Sequence, residues 1–138
     1  MKNNLKIALA QLNPIVGDVK GNIIKLIDIR NNLKDEVDII VAPELYVTGY
    51  PIDDLVLRND FLELVENEIN ILAKITNDGK AAIVLGAPRK EKNSIRNSVF
   101  VLDDGKITSF RDKHNLPNSG VFDEQRIFSP GALSGPVK

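Results

Sequence analysis

The chain has no cysteine and no tryptophan among its 138 residues, and only one histidine and one methionine. The missing thiols exclude a disulfide framework, a thiolate metal site and a cysteine nucleophile supplied from within these residues. The single histidine, His114, cannot build a histidine metal centre, and no HExxH, EF-hand or similar ligand spacing occurs. Charge of one sign is also lacking: the formal net charge is -1, which leaves no basic field for nucleic acid or an anionic membrane. No apolar run approaches the roughly 20 residues that span a bilayer. The apolar segment at residues 7–10 is shorter than the about 7 to 15 residues of a secretory core, and Gln11 and Asn13 interrupt it. It predicts a first strand in a cytoplasmic protein. Isolated glycines without a glycine-rich loop give no support to nucleotide binding.

What is present is ordinary globular material, 43% hydrophobic and 27% charged, in a length that suits one domain burying roughly 70% of its unfolded surface. The stretch VDIIVAPELYVTGYP, residues 37–51, organises it. Val37, Ile39, Ile40, Val41 and Ala42 read as a strand buried on both faces, and Pro43, lacking the donor a central strand needs, takes the chain out of the sheet. Glu44 then stands just beyond a strand's carboxyl end, where parallel sheets bind ligands. Thr48, Gly49, Tyr50 and Pro51 make a turn-prone loop that carries an aromatic ring to the same end.

Along the chain, residues 5–12 predict the first strand. Asp18 or Asn22 is a candidate cap for a helix whose buried stripe is Ile23, Ile24, Ile27 and Leu33, with Leu26 beside them. Strand, helix and strand predict parallel pairing with a right-handed crossover. Asp60 and Glu63 resemble a capping box opening a second helix, with Phe61, Val65, Ile69 and Leu72 on one face and Gly79 as its left-handed closing residue. Residues 81–85 predict a third strand that stops at Gly86-Ala87-Pro88, followed at 89–92 by a solvated charged loop. Residues 97–102 and 106–110, joined by Asp103-Asp104-Gly105, predict a hairpin. The expected class is α/β with a mixed sheet. Residues 111–128 crowd Arg111, Lys113, His114, Glu124 and Arg126 together, and residues 129–138, rich in glycine and proline, read as a tail without a docking element.

Four stretches carry a resemblance: PELYVTGYP (43–51), RDKHNLPNSGVFDEQRIFSPG (111–131), KIALAQLNPIVGDVKGNIIKL (6–26) and LGAPR (85–89). They resemble the amino-terminal glutaminase region of glutamine-dependent NAD synthetases, within the nitrilase or carbon-nitrogen hydrolase superfamily. The resemblance implies part of a nitrilase-like four-layer α-β-β-α sandwich, a Glu-Lys-Cys triad and glutamine as substrate. Matched residue by residue, Glu44 takes the place of the general base, Lys113 of the triad lysine, Glu124 of a second, supporting glutamate, and Tyr50 of an aromatic lining the glutamine pocket. It further implies that the family cysteine follows a strand beyond Lys138, so that residues 1–138 are a partial hydrolase domain. ATP and Mg would belong to a synthetase domain outside this chain, which itself needs no cofactor. A homo-oligomer, or association with the remainder, is the expected assembly. Where relatives commonly read LPNYGVF this chain has Ser119, a departure that predicts a weaker hold on glutamine.

Those residue types suit amide hydrolysis. A carboxylate can take a thiol proton and return it to leaving ammonia, and a fixed ammonium can stabilise the oxyanion that forms. Plainer readings compete: Glu44 as a helix cap or solvent-facing carboxylate, Lys113 as a surface lysine, Glu124 as an ion-pair partner of Arg126 or Arg111, and Tyr50 as core. A non-catalytic interaction module is the rival function, since an uncovered sheet edge or apolar face seeks a partner. A Ser-His arrangement of His114 with Ser119 or Ser129 is disfavoured, because adjacent extended residues such as Lys113 and His114 point opposite ways.

Overall fold

A computed structural model describes residues 4–133 and 135–136. The elements are β1 (Ile7–Leu9), α1 (Val19–Leu33), β2 (Ile39–Val41), a 3-10 turn (Asp53–Leu57), α2 (Asn59–Ile75), β3 (Ala82–Glu91), β4 (Ser94–Asp103), β5 (Lys106–Asp112) and α3 (Glu124–Ile127). The five strands form one sheet in sequence order, with β1, β2 and β3 parallel and β3, β4 and β5 antiparallel. The mixed α/β class and the β-α-β opening are as expected. So is the hairpin turn, where Asp104 and Gly105 both take positive φ (51° and 74°), the twist that two-residue hairpins favour.

Alternation along the strands divides the sheet into two unlike faces. Ile40, Ile83, Leu85, Ala87, Phe100 and Leu102 turn towards α1 and α2 and belong to one buried cluster with Ile23, Leu26, Val65, Ile69 and Leu72. The neighbouring positions, Ile7, Leu9, Val84, Val99 and Val101, turn the other way and lie outside that cluster. Leu9 is 71% exposed and Ile7 50%. One sheet and one helical layer are therefore present, and the second face of the sheet is open among the described residues, apolar at Ile7, Leu9, Val84, Val99 and Val101 and polar at Ser109 and Arg111 on β5.

Two local expectations give way to physical detail. The buried face of α1 is Val19, Asn22, Ile23, Leu26 and Arg30; of the predicted stripe Ile23 and Leu26 are buried and Ile27 and Leu33 pack partly against the core, while Ile24 is 57% exposed. Arg30 enters the core because its guanidinium is fully satisfied: Nε donates to Ala81 O, and Nη1 and Nη2 donate to the two Asp78 oxygens (3.0 and 2.6 Å). Asp18 is the cap, accepting from Gly21 N–H, while Asn22 is buried. α2 begins at Asn59 behind Arg58, with no side-chain cap, so the Asp60/Glu63 box does not form. Its buried face, Phe61, Val65, Ile69 and Leu72, is as predicted, and Gly79 has φ 67° three residues beyond the C-cap Thr76.

β3 also does not stop at Pro88 but continues to Glu91. β2 ends at Val41, so beyond Val84 only β4 pairs with β3. Gly86 points its carbonyl away from β4, to Val47 N–H, and Pro88 shares that orientation, so its missing donor faces the unpaired side. Arg89 accordingly lies in a strand rather than a solvated loop, paired with Asp112 (2.7 Å) and stacked on the Phe110 ring (4.4 Å). Of the glycine- and proline-rich tail, residues 134, 137 and 138 lie outside the described residues. Its first part is docked, Ser129 N–H donating to Ile95 O and Gly131 N–H to Lys113 O, both at 2.9 Å.

Hydrogen bonds from Arg30 hold Asp78 well below the usual carboxylate range, against the partial burial that opposes its ionisation. The pair's contribution is complete above the unfolded aspartate value of about 4 and is lost as pH falls through the depressed folded value. Asp78→Ala leaves a buried guanidinium without its anion, and urea unfolding at neutral pH should show a loss of about 2–3 kcal/mol, under the fully buried range because Asp78 is partly exposed. The variant should also lose part of the wild-type decline in stability at acid pH.

Candidate active site

The strand directions bring the predicted residues to one end of the sheet. β2 and β5 run the same way, so the chain leaving β2 at Pro43-Glu44 and the chain leaving β5 at Lys113 emerge together. β4 runs oppositely, and its early residue Asn97 lies at that end as well, across from Pro88. By alternation, Asn97 and Lys113 share the open face with Val99.

The Glu44 loop is fixed from both sides. Asn22, buried on α1, donates to Ile15 O (2.8 Å) and Val47 O (3.2 Å), and the Tyr46 hydroxyl donates to Asn22 O (2.9 Å). On the sheet side the loop lies directly on Gly86, where a Cβ would come within 2.4 Å of Leu45 N and 2.8 Å of Glu44 Cα. Leu45 takes φ 48°, a left-handed conformation that costs a non-glycine residue roughly 1–2 kcal/mol, and its fully buried side chain offsets that cost.

Lys113 is the centre of the cluster. Its Nζ donates to Glu44 Oε1 (2.7 Å) and Glu124 Oε1 (3.1 Å), with Glu124 Oε2 at 3.0 Å. Glu124 is only 4% exposed, and its Oε2 receives the lysine's charge without an aligned hydrogen bond. The Tyr50 hydroxyl donates to Glu124 Oε1 (3.1 Å), and its ring packs at a tilt against Phe122, 6.3 Å between centroids. All four residues singled out in the sequence, Glu44, Lys113, Glu124 and Tyr50, thus stand in one connected network. Arg126 is engaged elsewhere, with Asp54 and Asp123, so Glu124 is not its partner. His114 turns to Gly131 O through Nδ1 (2.7 Å).

Sequence reasoning passed over one member. Asn97, 3% exposed, donates from Nδ2 to Glu44 Oε1 at 2.6 Å, and its main-chain carbonyl accepts from Lys113 N–H at 2.7 Å. Its signal was a polar residue on a strand face otherwise carried by Val99 and Val101. Beside the cluster lies an open cleft of about 470 Å³, lined by Val41, Glu44, Val84, Asn97, Val99 and Lys113 among others. Among the described residues no group of three His, Cys, Asp or Glu side chains is placed to hold a metal.

Burial pulls the Lys113 ammonium towards deprotonation, but its hydrogen bonds to Glu44 and Glu124 outweigh this and hold its pKa above the ordinary lysine value. Burial, the Glu124 hydrogen bond and the charges of Glu124 and Glu44 push Tyr50 up to about 12. At neutral pH the network therefore contains a fixed cation and a protonated phenol. Lysine has three N–H donors, and with the carboxylates taking two, one remains for the cleft.

A mixed α/β sheet thus carries a carboxylate–ammonium–carboxylate cluster beyond its strand ends. The chain belongs to the carbon-nitrogen hydrolase family, whose model matches residues 6–138. It is 38% identical over 128 residues to the glutamine-dependent NAD(+) synthetase of Thermotoga maritima, covering 92% of this chain and 22% of that protein. Against the enzyme of the same name from Acinetobacter baylyi the identity is 37% over 130 residues, covering 93% and 24%. The solved glutamine-dependent NAD+ synthetase of Acinetobacter baumannii superposes with a TM-score of 0.84 at 36% identity, covering 94% of this chain and 24% of that one. An amidase from Nesterenkonia sp. shares the fold at a TM-score of 0.81 and 19% identity, over 97% of this chain and 51% of that one. These neighbours bear out the nitrilase-like α-β sandwich, of which this chain supplies the sheet and helical layer described above. The chain spans about a quarter of the length of the curated relatives it matches.

Tyr46 is also pushed up to about 12, by burial, so a Tyr46→Phe background isolates Tyr50 in an ultraviolet phenolate titration. In that background Glu124→Gln should bring the Tyr50 transition down towards its usual value, with the fold followed by circular dichroism. An unmoved transition would mean that Glu124 does not govern the phenol.

Proposed function

We propose that these residues form the acid–base and charge-stabilising part of a glutaminase site. The observation that supports this most is the Lys113 ammonium held between Glu44 and Glu124 on the wall of an open cleft. In the proposed reaction Glu44 takes the proton of a thiol supplied from outside residues 1–138, and sulfur bonds to the glutamine amide carbon. Lys113 stabilises the oxyanion. The C–N bond breaks, ammonia leaves with the proton from Glu44, and water hydrolyses the thioester to glutamate. Glu124 keeps Lys113 charged and in place, and Tyr50 orients Glu124 while lining the glutamine side.

By likeness to the synthetases, the ammonia would feed the ATP-dependent amidation of deamido-NAD. ATP and Mg would act in a region outside this chain. The domain division, a cytoplasmic location and assembly as a homo-oligomer or with a completing remainder are part of the same proposal. The open apolar face at Ile7, Leu9 and Val99 supports a second reading, a non-catalytic interaction module. A monodisperse monomer at high concentration would count against that one.

Purified 138-residue chain should release no ammonia from glutamine above a Glu44→Ala control, because it has no thiol. Release above that control would overturn the proposal. Expressed from its own gene together with a cysteine-bearing partner or continuation, it should hydrolyse glutamine, and Glu44→Ala should cut the rate by about 10²–10⁴-fold.

A further inference from the structure

The Glu44 carboxylate has a side chain half exposed to solvent and stands on a loop, two circumstances that ordinarily leave a glutamate free among rotamers. Here one oxygen is engaged twice. Oε1 accepts from Lys113 Nζ at 2.7 Å and from Asn97 Nδ2 at 2.6 Å, while among the described residues no donor reaches Oε2. Lys113 alone cannot enforce this asymmetry, since a terminal ammonium is a mobile point charge that can serve either oxygen. Asn97 is different in kind. It sits inside a strand, is nearly fully buried, and only its amide nitrogen, not Oδ1, suits an ionised carboxylate. Its main-chain carbonyl also accepts from Lys113 N–H, so one residue sets both the carboxylate and the backbone from which the ammonium extends.

We propose that Asn97 is a positioning residue for Glu44, holding Oε1 so that Oε2 is the atom directed to exchange a proton in the cleft. The inference deepens the glutaminase reading and rests on it for its catalytic meaning. A base that hands the same proton from thiol to ammonia must keep one oxygen on the path between the two, and a misplacement of about 1 Å can cost on the order of 100-fold in rate. Asn97 sets that placement without touching substrate.

The test has two arms. In the 138-residue chain, the Asn97 side-chain amide should give a shifted, exchange-protected nuclear magnetic resonance signal. Glu44→Ala should return it towards free-asparagine values while the β4 backbone signals hold. An amide signal indifferent to Glu44→Ala overturns the proposal. In the glutamine-hydrolysing assembly, Asn97→Asp keeps the shape but replaces the donor with an acceptor. It should lower kcat about 10- to 100-fold with KM within about threefold. Asn97→Ala should fall in the same direction if it folds. An unchanged kcat, or a loss carried by KM, overturns the inference and leaves the glutaminase reading standing. Absence of turnover by the wild-type assembly sinks that reading instead, and the amide signal still decides whether Asn97 holds Glu44.

Discussion

Two carboxylates and one ammonium have to be held together at the end of the sheet, and most of what surrounds them follows from that requirement. Glu124 is buried, and an ionised carboxylate out of water is costly unless a cation and hydrogen bonds reach it. Lys113 supplies the cation and Tyr50 a hydroxyl, which ties the segment carrying Glu124 back to β5 and to the loop after β2. The same ammonium then fixes Glu44. Removing it would leave two like charges facing one another with nothing between them, so Lys113 is a condition for the local fold as much as for any chemistry.

The sheet meets this requirement through strand direction. β1, β2, β3 and β5 all point one way, so whatever follows β2 and β5 meets at a single end, and the antiparallel β4 brings its early residues there too. Gly86 completes the arrangement by having no side chain. The loop bearing Glu44 lies on the β3 backbone at a distance that excludes even a methyl group, and Val47 N–H bonds the Gly86 carbonyl left free where β2 ends. The early end of β2 and the late end of β3 are therefore one device: the unpaired stretch of β3 is the seat for the loop.

How far these features are legible in sequence depends on whether a residue's environment is local. Glu44 could be read because Pro43 forces an exit from an apolar strand, and Gly105 because its hairpin turn needs positive φ. Arg30 could not be read in this way, because its burial depends on Asp78, 48 residues away. Periodicity treats an arginine as a surface residue and shifts the predicted stripe of α1 to Ile24. β3 outran its predicted end because proline's cost in a strand depends on which side is paired, a fact of the neighbouring strand's length. The roles of Lys113, Glu124 and Tyr50 came only from likeness to a family, since their residue types alone suit any surface. Asn97 was missed although the alternation with Val99 and Val101 marked it, a polar side chain in an apolar row.

The open face bears on the site's strength. Val41, Val84 and Val99 belong both to the uncovered side of the sheet and to the cleft beside Glu44 and Lys113. A layer packed on that face would bury the apolar row and at the same time exclude water from the cleft. The attraction between an ammonium and a developing oxyanion grows as the effective dielectric falls, from about 1 kcal/mol at 4 Å in water to several times that near a protein surface. One covering layer would thus answer both the hydrophobic demand of the face and, on the proposed reading, the electrostatic demand of the site, and Lys113 would act with most force once such a layer excluded water.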